Sequence, residues 1–218
     1  MNARGSLLTG VAAALVRTAG IPKFAVEIGV GGNMDRVMTL ELIERGGWMG
    51  MWMEPLVEPF SILRNFVASN ELPITLVNAA ITTYDGETDF YYCDECPGWS
   101  SVVVPADRTK KWHGRAKYEK ITVACRRLSE VLGDCVVGVM VIDVEELEGP
   151  ILRDMMANTM IRPAVLMVEG NTPERRFEQD GILNGSYDLV WSFQNDLDRI
   201  WVRRDLLVES RDERGSHS

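Results

Sequence analysis

Residues 23–35 read KFAVEIGVGGNMD, an apolar run that reaches an acid, Glu27, and then breaks into Gly29, Gly31 and Gly32. A short apolar run closed by glycine predicts a buried strand over 24–28. The glycines after it predict a turn, because a backbone without Cβ atoms can come close to something else. Asn33 is a helix-capping residue, and Val37, Leu40 and Ile43 recur at the spacing of one apolar helix face up to Arg45, where Gly46 and Gly47 stop it. Strand, glycine turn and helix in this order open a parallel sheet, with the N–H groups of the turn aimed at a ligand above the strand ends.

The same alternation continues outward. Strands are predicted over 48–53, 74–78, 136–142 and 164–168, with helices over 59–69 and from Pro150 and Pro173 onward. Regular alternation of this kind implies an α/β fold, a doubly wound, mostly parallel sheet covered on both faces. Residues 82–126 interrupt the rhythm: two short alternating runs, 90–93 and 100–104, predict a hairpin insertion before the fourth strand. YDLVWSF and RIWVRR, flanking QNDLD, predict an antiparallel hairpin that closes the sheet. Residues 1–22 are expected to form an Ala- and Leu-rich helix, capped by Ser6 and packed on the domain, and the charged residues 206–218 a frayed tail.

Composition excludes several classes of protein. The 218 residues form a single domain by size, and a net charge of −9 argues against a dedicated nucleic-acid binder, which needs a basic face. Cys93 and Cys96 make half of a zinc motif, but Cys125 and Cys135 are spaced too widely to complete it and only two histidines are present. Reduced thiols and no metal are expected. The apolar stretch 7–16 is too short to span a bilayer and Arg17 ends it, so a cytoplasmic protein is expected.

Met34 stands where a dinucleotide site places its third glycine. A second acid, Glu54, closes the second strand 22 residues beyond Gly32, a place from which a carboxylate accepts both hydroxyls of a ribose. VEIGVGGNMD, WMEPLVEPFSILRN, ITLVNAAI, VIDVEELEGPIL and RPAVLMVE follow one another in an order that resembles FkbM-type methyltransferases, from about residue 24 to 205. The family's glutamate-proline pair is matched by Glu54-Pro55, and its aspartate-valine-glutamate-glycine motif by Asp143-Val144-Glu145, with Glu146 in place of the glycine. Val141 replaces the lysine that often precedes that motif.

The resemblance implies a Rossmann-like, seven-stranded sheet and transfer of a methyl group from S-adenosyl-L-methionine, commonly to a hydroxyl oxygen of a sugar, a glycan or a related small molecule. It places Glu27, Gly29, Gly31, Glu54, Asn78, Ala79 and Ala80 at the cofactor, and Asp143 and Glu145 at the reaction centre. Asp143, Glu145 and Glu169 are also acids that can hold a metal, though their spacing demands none. RNA ribose methyltransferases resemble one another in a lysine-aspartate-lysine-glutamate tetrad, and this chain has no lysine after Lys120. A cofactor- or partner-binding protein that kept the fold and lost the reaction is the alternative, motivated by Glu146 and Val141. The segment RTKKWHGRAKYEK, residues 108–120, carries a local charge of +5 and supplies Lys110, Lys111, Trp112, His113 and Arg115 as acceptor-binding candidates. An anionic acceptor would fit it, and a solvated loop is the plain alternative.

Overall fold

The computed structural model describes residues 3–95, 97–103, 117–193 and 198–207. Ten strands are found among them: β1 (Phe24–Ile28), β2 (Met49–Met53), β3 (Ile74–Val77), β4 (Ala80–Thr82), β5 (Gly86–Cys93), β6 (Tyr118–Arg127), β7 (Val139–Ile142), β8 (Val165–Glu169), β9 (Tyr187–Ser192) and β10 (Asp198–Arg203). The helices are α1 (Ala3–Ala19), α2 (Leu40–Gly46), α3 (Val57–Ser69), α4 (Leu128–Leu132), α5 (Glu148–Asn158) and α6 (Pro173–Leu183). Seven strands form one sheet in the order β3-β2-β1-β7-β8-β10-β9. All neighbours from β3 to β8 run parallel, and β10 runs antiparallel to both β8 and β9, so the C-terminal hairpin closes the sheet as expected.

Alternation along each strand divides the core into two layers. Ala25, Val139, Val141, Val165 and Met167 point to one face, where Leu8, Ala12 and Leu15 of α1, Leu42 and Ile43 of α2 and Leu63 of α3 cover them. Val26, Ile28, Met140, Ile142 and Val168 point to the other, under Leu128 and Leu132 of α4, Ile151, Leu152 and Met155 of α5 and Leu183 of α6. The N-terminal helix therefore packs on the domain, but Ser6 does not cap it. Ser6 lies within α1 and its hydroxyl donates to Glu41 Oε2 at 2.9 Å. No helix among the described residues is long and apolar enough to cross a membrane.

Two local expectations are corrected. The first is the hairpin of 90–93 with 100–104. β5 instead pairs along its length with β6, Phe90 opposite Ile121, and the 100–104 region contributes an isolated bridge between Tyr91 and Ser101. The insertion is thus a second sheet, β4-β6-β5, with its own small core of Leu56, Ala80, Phe90, Val123 and Cys125. The second concerns the tail: Leu206 and Leu207 pack against the main core, while residues 208–218 lie outside the described part.

Candidate active site

β1 ends in the glycine turn, and each glycine there meets a different demand. Gly29 has φ +81°, and a Cβ on it would sit 1.8 Å from the carbonyl oxygen of Asp143, because the end of β7 runs directly beside the turn. Gly31 has φ +68°, and its Cβ would project into open space on the wall of a cleft. Gly32 lets α3 approach: a Cβ would lie 3.2 Å from Ile62 Cδ1 and 3.3 Å from Pro59 Cα.

Glu27 is buried on β1 with both carboxylate oxygens engaged. Oε1 accepts the Met38 N–H at 2.9 Å, and Oε2 accepts the Thr39 N–H at 2.8 Å and the Thr39 hydroxyl at 2.7 Å. Trp52 Nε1 donates to the same hydroxyl at 2.9 Å. This acid ties down the segment that follows the glycine turn, which is why the expected single helix from Asn33 to Arg45 is broken. Asn33 caps only a 3₁₀ turn, Met34–Arg36, and α2 begins afresh at Leu40. Burial pushes the Glu27 carboxyl above its ordinary range, while the three donors pull it back.

Glu54 closes β2 where a ribose-binding acid was expected. Its Oε2 accepts the Gly31 N–H at 2.8 Å and its Oε1 the Leu56 N–H at 2.9 Å, so each oxygen keeps a lone pair for a further donor. It is only 4% exposed, and burial raises its carboxyl against the pull of those two amides. Asn78 does not line the cleft. Its amide donates to the carbonyls of Glu54 and Pro55 at 2.8 and 3.1 Å and holds the turn that carries Glu54, while Ala79 and Ala80 do face the cleft.

The next two strand ends bring acids together. Asp143 follows β7, Glu169 ends β8, and with Glu145 they place carboxylate oxygens within 4.8 Å of one another, a grouping that can hold a cation. Asp198 begins β10 directly opposite Glu169, buried and ion-paired with Arg4 of the N-terminal helix. Burial, then the neighbouring charges of Glu145, Glu148 and Asp198, push Asp143 well above the aspartate range. Glu169 is pushed up to about 10, first by burial and then by Asp143.

A carboxyl raised in this way stabilises the fold while neutral. Its contribution is complete below the ordinary value of 4.5 and is lost as pH rises toward about 10. Glu169→Gln, neutral at every pH and of the same shape, is expected to flatten the decline of stability across that window in urea unfolding. A variant as pH-dependent as the wild type would assign the decline to other groups.

The loop between β7 and α5 is held in a conformation few side chains adopt: Glu145 has φ 52° and Glu146 φ 100°. The family's glycine would sit at position 146 without strain. Here Glu146 pairs with Arg175 of α6, and Glu148, 2% exposed, accepts the Val144 and Glu146 amides at 3.1 and 3.2 Å. The Ser101 hydroxyl, from the insertion, donates to the Glu145 carbonyl. Three groups from three parts of the chain, Arg175, Glu148 and Ser101, therefore fix the backbone that carries Asp143 and Glu145.

Together these elements line a cleft of about 1160 Å³. The glycine turn, Glu54, Ala79 and Ala80 lie along it with Asp143, Glu145 and Glu169, and the insertion supplies Phe90, Tyr92 and Trp99. Arg4, Asp198 and these aromatic residues were not singled out from the sequence. Lys110, Lys111, Trp112, His113 and Arg115 lie outside the described residues.

A glycine turn after the first strand, an acid closing the second and a terminal antiparallel pair define a Rossmann-like fold of the methyltransferase type. Residues 27–201 match the methyltransferase FkbM domain, and the chain belongs to that family. Similar solved structures include the methyltransferase FkbM from Methylobacillus flagellatus KT, with a TM-score of 0.52 and 12% identity over 83% of this chain and 43% of that one. The bifunctional kinase-methyltransferase WbdD gives 0.51 and 12% over 93% of this chain and 39% of its own, and the METTL16 methyltransferase domain 0.51 and 10% over 91% and 80%. The chain spans about two fifths of the length of the first two. No curated protein matches its sequence.

Proposed function

We propose that the protein transfers a methyl group from S-adenosyl-L-methionine to a hydroxyl oxygen of a sugar, a glycan or a related small molecule. The observation that carries this reading is the joining of an open glycine cradle and Glu54 with the Asp143–Glu145–Glu169 cluster in one cleft. Single-ligand pockets run to roughly 300–1,000 Å³. At about 1160 Å³ the cleft has room for a cofactor and an acceptor side by side.

The residues fit the cofactor. Gly31 leaves open the space its Cβ would fill, and Glu54 offers two buried acceptor oxygens suited to vicinal ribose hydroxyls. Ala79 and Ala80 present small side chains where a flat base needs clearance. Glu27 acts at one remove, because both its oxygens hold the turn. When bound, S-adenosylmethionine supplies an activated methyl on a sulfonium, so the protein's share is orientation and proton removal. Asp143 or Glu145 would hold the acceptor O–H and take its proton, the chemistry left to the protein when the sulfonium gives up its methyl and becomes a neutral thioether.

The replacement of glycine by Glu146, which motivated the inert alternative, is accommodated by Arg175 and Glu148. An anionic acceptor would have to be recognised from the basic segment 108–120, of which 108–116 lie outside the described residues. Calorimetry is expected to show S-adenosylmethionine binding that Glu54→Ala weakens by about 1–3 kcal/mol, the cost of unpairing buried partners. Mass spectrometry of the purified protein is expected to find the cofactor or its demethylated product. A wild type that binds no S-adenosylmethionine, or binds NAD instead, defeats the reading.

A further inference from the structure

Arg4, on the first turn of α1, lines the cleft beside Glu27, Met38, Val141, Met167 and Asp198. Two contacts fix where it stands. Its guanidinium pairs with Asp198, which begins β10 opposite Glu169 at the end of β8. The next residue, Gly5, is buried so close to the segment after the glycine turn that a Cβ on it would lie 3.1 Å from the Met38 carbonyl oxygen. Met38 in turn donates its N–H to Glu27 of β1 at 2.9 Å. Arg4 is therefore held between the ends of β1 and β10, with β7 and β8 as the strands between. The Asp198 side chain is 5% exposed and that of Arg4 39%, so the anchor is buried while the guanidinium stays open to the cleft that both line.

The layout of the strand ends says which part of the cofactor comes here. Ala79 and Ala80 follow β3, Glu54 follows β2 and the glycine turn follows β1, on three neighbouring strands about 4.8 Å apart. A base at the first and a ribose at the second direct the four-carbon amino-acid arm across the glycine turn toward β7. That arm ends in a carboxylate, on a wall whose ionisable groups are mostly acids and whose other cation among the described residues is Arg36. A guanidinium suits a carboxylate in such a place, because it offers two parallel N–H donors and keeps its charge at any working pH.

We propose that Arg4 binds the carboxylate of the cofactor's amino-acid arm, with Asp198 holding the guanidinium in place. The N-terminal helix is then part of the cofactor site, although it precedes residue 27, where the FkbM domain begins. This rests on the methyltransferase reading and adds a residue to it. Gly31 and Glu54 serve any adenosine thioether, and Arg4 distinguishes those that carry the carboxylate.

In the test, full-length protein is titrated by calorimetry with S-adenosylhomocysteine and with its decarboxylated analogue, which keeps the adenosine, the sulfur and the ammonium. The wild type is expected to prefer the former by about 10- to 100-fold, the worth of hydrogen bonds to a charged group. Arg4→Gln is expected to erase that preference by weakening S-adenosylhomocysteine alone, with the analogue bound as in the wild type. Arg36→Gln is expected to leave the preference in place. A preference that survives Arg4→Gln, or that Arg36→Gln removes, overturns the proposal. So does an Arg4→Gln variant that weakens both ligands equally, since that makes Arg4 only a brace for α1. If Arg4→Gln does not fold, phenylglyoxal labelling of the wild type, read by peptide mass spectrometry, decides. S-adenosylhomocysteine is expected to shield Arg4 and the analogue to leave it reactive, and equal shielding by the two overturns the proposal. A wild type that binds both ligands alike defeats the role of Arg4 and leaves the cofactor reading standing, whereas one that binds neither defeats both.

Discussion

Gly29→Ala is expected to destabilise the fold by about 2–6 kcal/mol. The figure combines roughly 1–3 kcal/mol for a side chain at positive φ with about 1–3 for overpacking against a neighbour that has little room to move. That neighbour is the Asp143 carbonyl, 1.8 Å from where the Cβ would be. It is backbone at the end of a central strand, and the Asp143 N–H is itself bonded to the Ile28 carbonyl at 3.1 Å. Relief requires β7 to move away from β1, which breaks the parallel pairing of Ile28 with Ile142. Gly31→Ala separates the two terms, since it shares the positive φ but projects into open space. It is expected to cost only the backbone share, while impairing cofactor binding more than Gly29→Ala impairs it in whatever fraction stays folded. Urea unfolding of both variants decides this. Equal losses would mean that contact with Asp143 is relieved at little cost.

The main sheet was legible because its strands are short and separated by turn residues, and its central strands β1, β7 and β8 are buried on both faces. The run before Gly29 is one example, and the helix start at Pro173 held equally, with Thr172 as its cap: Thr172 Oγ1 accepts the Arg175 N–H at 3.3 Å. Strand partners in the insertion were not legible. Phe90 pairs with Ile121 across a long intervening segment, and alternation alone does not say which of two nearby runs will be the partner. The glycine turn and Glu54 could be placed because they sit at strand ends, where position implies role. Glu27 was read as facing the cofactor, yet its partners are the backbone amides of Met38 and Thr39, and an amide leaves no mark on the residue type. Arg4 reaches Asp198 from the opposite end of the chain, a juxtaposition that only the packing of α1 creates. Glu146 shows the reverse case. Its departure from the family's glycine was visible, but the positive φ that gives the departure its cost was not.

Asp143→Asn is expected to reduce turnover by about 10²–10⁴, the usual contribution of a general base, while leaving S-adenosylmethionine affinity nearly unchanged. The substitution keeps the shape of a side chain that feels the charges of Glu145, Glu148 and Asp198 and removes its capacity to take a proton. Burial and those neighbours hold its carboxyl well above the aspartate range, which makes its ionised form a stronger base than an exposed aspartate. Wild-type turnover should therefore rise with pH along a limb displaced above the ordinary aspartate value of 3.8, and Asp143→Asn should lose that limb. Glu145→Gln is expected to shift the limb downward by removing a like charge, without abolishing it, whereas Glu169, held up at about 10, is neutral over that limb and Glu169→Gln is expected to leave it in place. The plain alternative is that the acids of this loop serve only the N-terminus of α5 through its dipole. Glu148, the first residue of that helix, already accepts the Val144 and Glu146 amides, which leaves Asp143 and Glu145 for the cleft. The measurement is a pH profile of methyl transfer once an acceptor is identified, with the three single variants side by side. If Asp143→Asn turns over as fast as the wild type with the same profile, the base lies elsewhere, with Glu145 and then His113 next to be tested.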